Sequence, residues 1–157
     1  EERLRHMGAT RSTYPGEYRV GTSRSRPFPR DPPLVSSRTT TARDLGRVLA
    51  SLHAAATGNA RARAQTQLSR HEARVGIAML LRSLPRADNV GLFRPALPAG
   101  MPAAQKHGWI SSARHSAAVL YTARGPVVVV LLTYRESLKL SAAQQLAQRV
   151  LRVALSG

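Results

Sequence analysis

Residues 104–133 read AQKHGWISSARHSAAVLYTARGPVVVVLLT, and this run decides the fold. Its composition, rich in β-branched and aromatic residues and broken by turn formers, predicts three strands: Ala104–Ser111, Ser116–Thr122 and Val127–Tyr134. Gly125-Pro126 marks a turn ahead of the third strand. That strand is apolar on both faces, the pattern expected of a central strand covered on both sides. Short links between neighbouring strands favour an antiparallel meander. Of the 24 Lys and Arg residues only two, Lys106 and Lys139, are lysines. Lys106 lies on the first strand, followed by His107 and Gly108.

Helices flank this run. In TTTARDLGRVLASLHAAATG, Thr41 caps a helix and Asp44 suits its positive first turn. Leu45, Val48, Leu49 and Leu52 recur on one helical face, and Gly58 is a stop. In LSRHEARVGIAMLLRSLP, Ser69 and Glu72 form a capping box, and Pro85 follows the end. Val75, Ile77, Met79, Leu80 and Leu81 supply its apolar surface. The last helix, SAAQQLAQRVLRVAL, opens on a second capping box at Ser141 and Gln144, with Leu146, Val150 and Val153 on one face. Arg3–Met7 reads as the end of a helix stopped by Gly8.

The expected organisation is an irregular Pro/Gly/Arg-rich segment over 1–38, a helical part over 39–85, a connector over 86–103, and a strand-strand-strand-helix part over 104–157. No internal repeat interrupts it. The fold class is α+β: a three-stranded antiparallel sheet carrying the C-terminal helix, plus two further helices.

Composition excludes several classes. The 157 residues suffice for one domain with a core, and 43% hydrophobic content argues against global disorder. Without cysteine there are no disulfides and no thiolate metal sites. The five histidines lack metal-ligand spacing and an acidic cluster, so no metal or other cofactor is implied. No apolar run approaches the roughly 20 residues of a membrane span. The net charge of +16 favours anionic partners, yet the arginines are spread along the chain and aromatics are only 4%, which argues against nucleic acid. The chain opens on Glu-Glu-Arg with no start Met and no apolar signal segment, the pattern expected of a fragment or processed piece.

QKHGWISSARHSAAVLYTARGPVVVVLLT followed by a helix resembles the last part of the penicillin-recognising serine hydrolases, class A β-lactamase-like branch. There the strand reads K-T-G or K-S-G, often continuing Trp-Ile, and Arg-His-Asp opens the next strand. SSRTTTARDLGRVLASL resembles the helix start that follows the family's omega loop, and RLRHMGATRSTY the stretch after its S-D-N loop. The likeness runs in the family's order and implies an incomplete β-lactamase/transpeptidase-like fold, its C-terminal half.

The resemblance implies a function in acyl transfer on a β-lactam or peptide-type substrate, and it also shows what is missing. The family's serine lies in S-x-x-K, with S-D-N assisting proton transfer. S-x-x-K occurs nowhere in this sequence, and Ala87-Asp88-Asn89 lies too close ahead of Lys106 to serve as S-D-N. The chain is therefore expected to be inactive alone and to bind substrate only when completed by the other half.

For Lys106 the resemblance implies a catalytic and substrate-binding role, through positive potential for the substrate carboxylate and the serine's proton network. His107 stands where the family uses Thr or Ser; an imidazole can donate to an anion, or it marks drift. Gly108 permits close approach of a substrate backbone. Trp109 is expected on the opposite side of the strand, packed. Arg114 lies near where some members place a second carboxylate-binding arginine; otherwise it is a solvated strand end. His115-Ser116 replaces His-Asp. Glu17 is the one glutamate in the segment corresponding to the omega loop, though farther ahead of Thr39 than the family's catalytic glutamate. Members are commonly exported. A second class of function remains open from composition, a non-catalytic basic module for an anionic glycan, cell-wall fragment or nucleic acid. Uncovered apolar helix faces and an open sheet edge predict self-association of the chain by itself.

Overall fold

Capping chemistry places the helices. The computed structural model describes residues 2–13, 39–82, 91–110 and 112–156. Within it α1 is Glu2–His6, α2 Ala42–Thr57, α3 Ala60–Thr66, α4 Arg70–Arg82 and α5 Leu140–Ser156. The strands are β1 Ala103–Ile110, β2 Ala113–Thr122 and β3 Gly125–Tyr134. Thr41 caps α2 by accepting the Asp44 amide at 3.1 Å. Gly58 closes it in the left-handed conformation (φ 100°) that a residue without Cβ adopts freely. Ser69 and Glu72 form the expected reciprocal box ahead of α4, at 2.8 and 3.2 Å. The two Ser69 hydrogen bonds hold the Glu72 carboxyl below its usual range. Helix α3, which hydrophobic periodicity does not reveal, begins on Asn59, whose side chain accepts the Ala62 amide at 2.9 Å. Its buried residues are only Ala62 and Thr66, so it carries no apolar stripe to read.

The sheet is the expected antiparallel meander, ordered β1-β2-β3. Its middle strand is β2, however, and β3 is an edge strand among the described residues, contrary to the expectation for Val127–Tyr134. The apolar run on β3 reflects two covered faces, since neighbouring side chains alternate between two separate cores. β2 also begins earlier than Ser116, at Ala113, because pairing continues through Arg114↔Trp109 and His115↔Gly108. The β2–β3 turn is Ala123-Arg124, immediately ahead of the Gly125-Pro126 marker, which lies in β3.

One core lies between the sheet and α2 with α4, built on Leu49, Ile77, Ala104 and Val119. The other lies between the sheet and α5, built on Phe93, Leu120, Val129 and Leu151. Alanines at 143 and 147 and Leu151 form the buried stripe of α5, whereas Leu146 and Val153 are exposed, Val153 at 77%. The small residues let the helix approach the sheet, and of the three residues expected on the packed face only Val150 lies against this core. The helix also starts at Leu140, so Ser141 lies inside its first turn and is not the cap. Val75, Met79 and Leu81 of α4 are exposed.

Asp44 ties the amino-terminal segment to α2. Its carboxylate, 1% exposed, accepts the Arg11 amide at 2.7 Å and the Ser12 hydroxyl at 2.9 Å, while Arg47 reaches from it to the Gly8 carbonyl. Asp44→Ala removes the acceptor of the Arg11 amide and leaves the Ser12 hydroxyl with only its Thr40 partner, and the expected cost is about 2 kcal/mol in urea unfolding. Asp44→Asn, which keeps one acceptor oxygen, should recover part of it. Equal stability of wild type and Asp44→Ala would refute this assignment.

Candidate functional site

Strand alternation divides the sequence-predicted residues between the two sheet faces. Lys106 and Gly108 share the α2/α4 face with Ala104, opposite Ala117 and His115 of β2. His107 and Trp109 share the α5 face with Ser116 and Arg114. Lys106 and Gly108 are thus brought together, while the side chains of His107 and Arg114 lie on the other side of the sheet.

The outer edge of β1, unpaired among the described residues, joins the two sets. The Tyr121 amide donates to the Pro102 carbonyl at 3.0 Å, which fixes the phase of the β1–β2 ladder. Antiparallel alternation then turns the backbone N–H and C=O of Gln105, His107 and Trp109 outward, away from β2. The Lys106 ammonium donates to that outward carbonyl of His107. The cation therefore sits at an edge that no described strand covers. Above Gly108 a Cβ would meet nothing within 4 Å. No packing among the described residues demands a glycine there.

On the α5 face the connector seats the strand. Gly91 is buried against His107; a Cβ on it would come within 3.5 Å of His107 Nδ1 and 3.6 Å of Gln105 Oε1. His107 Nδ1 is itself buried without a hydrogen-bond partner among the described residues. Leu92 donates its amide to Ser116 Oγ at 3.0 Å, giving buried Ser116 a structural task that its motif position alone does not disclose. Trp109 does lie opposite Gly108, but it is 51% exposed, with the Arg114 guanidinium 5.5 Å over its ring. Arg114 also donates to the Leu138 carbonyl at 3.4 Å. His115 accepts the Thr133 amide on Nδ1 at 3.2 Å. Glu17, Pro85 and Ala87–Asn89 lie outside the described residues. No group of three potential metal ligands occurs among the described residues.

Burial, then Lys106 repulsion, lowers the His107 pKa from 6.5; burial lowers that of His115, partly offset by its hydrogen bond to the Arg114 backbone. The unfolded chain therefore takes up these protons before the folded one does. Their contribution is complete above about pH 6.5 and is lost as pH falls toward the folded values. The urea midpoint should be lower at pH 5.5 than at pH 7.5, and His107→Gln should shrink the difference. A difference unchanged in His107→Gln and His115→Gln would contradict this.

A family model described as the beta-lactamase enzyme family matches residues 2–155. The chain belongs to the beta-lactamase enzyme family. Among solved structures this family member is similar to the beta-lactamase from Sphaerobacter thermophilus, at 21% identity and TM-score 0.66, covering 98% of this chain and 50% of that one. It is also similar to PBP-A, at 16% identity and TM-score 0.65, covering 98% and 48%. A PBP-A mutant described as an acyl-enzyme complex with penicillin G matches at 15% identity and TM-score 0.62, over 96% and 48%. No curated protein sequence matches it. These likenesses establish a beta-lactamase fold of which the chain spans about half the length of each structure.

Proposed function

We propose that this chain forms the substrate-holding wall of a serine acyl-transfer site acting on β-lactam or peptide-type substrates, with the nucleophile contributed by polypeptide outside these residues. The observation that carries the reading is the Lys106 ammonium at the free edge of β1, beside the open space over Gly108. An extended amide can pair with the outward backbone of His107 and Trp109, as peptides add to sheet edges. Its carboxylate is then attracted by Lys106. In this reading His107 acts through its backbone, and Arg114 steadies Trp109.

The same positive potential favours charge developing on the attacked carbonyl oxygen, but the bond-forming group is absent, since the sequence contains no S-x-x-K. Acyl-enzyme formation by this chain alone is therefore not expected. The outer edge of β3, ten residues long and unpaired among the described residues, offers a seam for further strands of a completed domain.

The test is a titration with benzylpenicillin of the isotope-labelled chain supplied with an unlabelled polypeptide carrying S-x-x-K and S-D-N, followed by amide shifts and the intact mass of the labelled chain. Saturable shifts at Lys106, Gly108 and Trp109, absent in Lys106→Ala and with no mass increase, support the reading. Covalent labelling of this chain, or shifts indifferent to Lys106, defeats it.

A second reading, a basic module for an anionic polymer, is favoured by charge alone: eight acidic residues cannot neutralise 24 basic ones. It expects steeply salt-dependent binding that survives Lys106→Ala.

A further inference from the structure

On the face of the sheet away from Lys106, α5 and the 94–102 segment border a second, solvent-open hollow that the acyl-transfer reading does not use. Two adjoining cavities of about 570 and 380 Å³ share Pro98 in their walls. That range suits a small-molecule site. The floor is apolar: Leu151, 2% exposed, flanked by Ala96 and Leu155. The opposite wall carries Pro98 and Pro102, whose rings restrict the backbone there. At Gly100 a Cβ would meet nothing within 4 Å, so this end is open.

Charge distinguishes the hollow from a bare apolar groove. Arg152 lines the larger cavity and Arg94 the smaller, and both are exposed. Neither guanidinium has an ion-pair or hydrogen-bond partner among the described residues, and no described acidic residue lines either cavity. The third arginine nearby, Arg124, is engaged differently: it donates to the Leu155 carbonyl at 2.6 Å, at the carboxyl-terminal end of α5.

We infer that this hollow binds an amphipathic carboxylate, its hydrocarbon chain lying along Leu151 and Leu155 and its carboxylate held by Arg152 or Arg94. A guanidinium recognises a carboxylate through paired hydrogen bonds, and the leucine floor removes the chain from water. Cationic amphiphiles are repelled by the same two arginines. The site is separate from the β1 edge and stands or falls independently of the acyl-transfer reading.

Decanoate, kept below its micelle-forming concentration, is the probe, with decanol and decyltrimethylammonium as comparisons. Equilibrium dialysis measures affinity, and amide shifts locate the site. The expected result is saturable decanoate binding about tenfold or more tighter than decanol, weakened by salt, with shifts at Ala96, Leu151 and Leu155. Gln148→Glu, an exposed change at the rim, should weaken decanoate about tenfold and leave decanol unchanged. Lys106→Ala should alter neither, which separates this site from the penicillin titration. Equal affinity for decanol, shifts centred on Val75 and Met79 of α4, or no saturable binding would overturn the assignment.

Discussion

Supplied with a polypeptide carrying S-x-x-K and S-D-N, the chain should turn over a chromogenic cephalosporin, and Lys106→Ala should then lower kcat/KM by about 10²–10³-fold. The magnitude follows from losing a charged group proposed to act on the substrate carboxylate and on charge developing in the transition state. Neither the chain alone nor the added polypeptide alone should show turnover, because in the proposed reading each carries only part of the acyl-transfer site. Lys106→Arg keeps the charge but changes its shape and reach, so partial activity is expected. Full activity in Lys106→Ala would show that the cation at the β1 edge is a bystander. Activity of the chain alone would show that a nucleophile lies within it.

Phe93→Ala should cost about 4 kcal/mol, the largest loss expected of a single side chain here. Phe93 is fully buried, at 0% exposure, and packs in the core beneath α5 with Leu120, Val129 and Leu151. Its removal leaves a ring-sized cavity between sheet and helix. Marginal proteins retain only about 5–15 kcal/mol in total, so the change takes a large share of the stability. Phe93 also anchors the connector whose Leu92 amide bonds Ser116 and whose Gly91 lies against His107. The urea midpoint should fall, and the Leu92 amide should exchange faster with solvent. A loss under about 1 kcal/mol, or unchanged exchange at Leu92, would show that the ring anchors neither core nor connector.

Much of the fold was legible because its signals are local. Thr41, Gly58, and Ser69 with Glu72 mark helix ends through bonds within a few residues, and the structure forms each of them. The β1 and β3 assignments rest on composition over eight to ten residues and hold to within two residues at their starts. The errors fell where burial is decided by distant partners. Alanines form the buried stripe of α5, and alanine carries little hydrophobic signal, so the larger Leu146 and Val153 misled the face. Val127–Leu132 reads the same in a central strand or an edge strand covered on both faces, and only the pairing of β2 with both neighbours distinguishes them.

The candidate site divides in the same way. Lys106-His107-Gly108 was visible as a motif, because the strand, its cation and its glycine are adjacent in sequence. Which side chains share a face follows from alternation, but which edge is free, and that Lys106 reaches the His107 carbonyl there, required the sheet. The task of Ser116 was invisible, since its partner amide is 24 residues away.

By itself the sequence determined the helix caps, the three-stranded meander, the cationic strand and the absence of an S-x-x-K nucleophile, all matters of short-range order. Tertiary structure alone decided the central strand, the alanine face of α5, the clamp around Asp44 and the open space over Gly108. Those depend on contacts between residues far apart in the chain, where packing and hydrogen bonding choose among arrangements that local preference leaves equal.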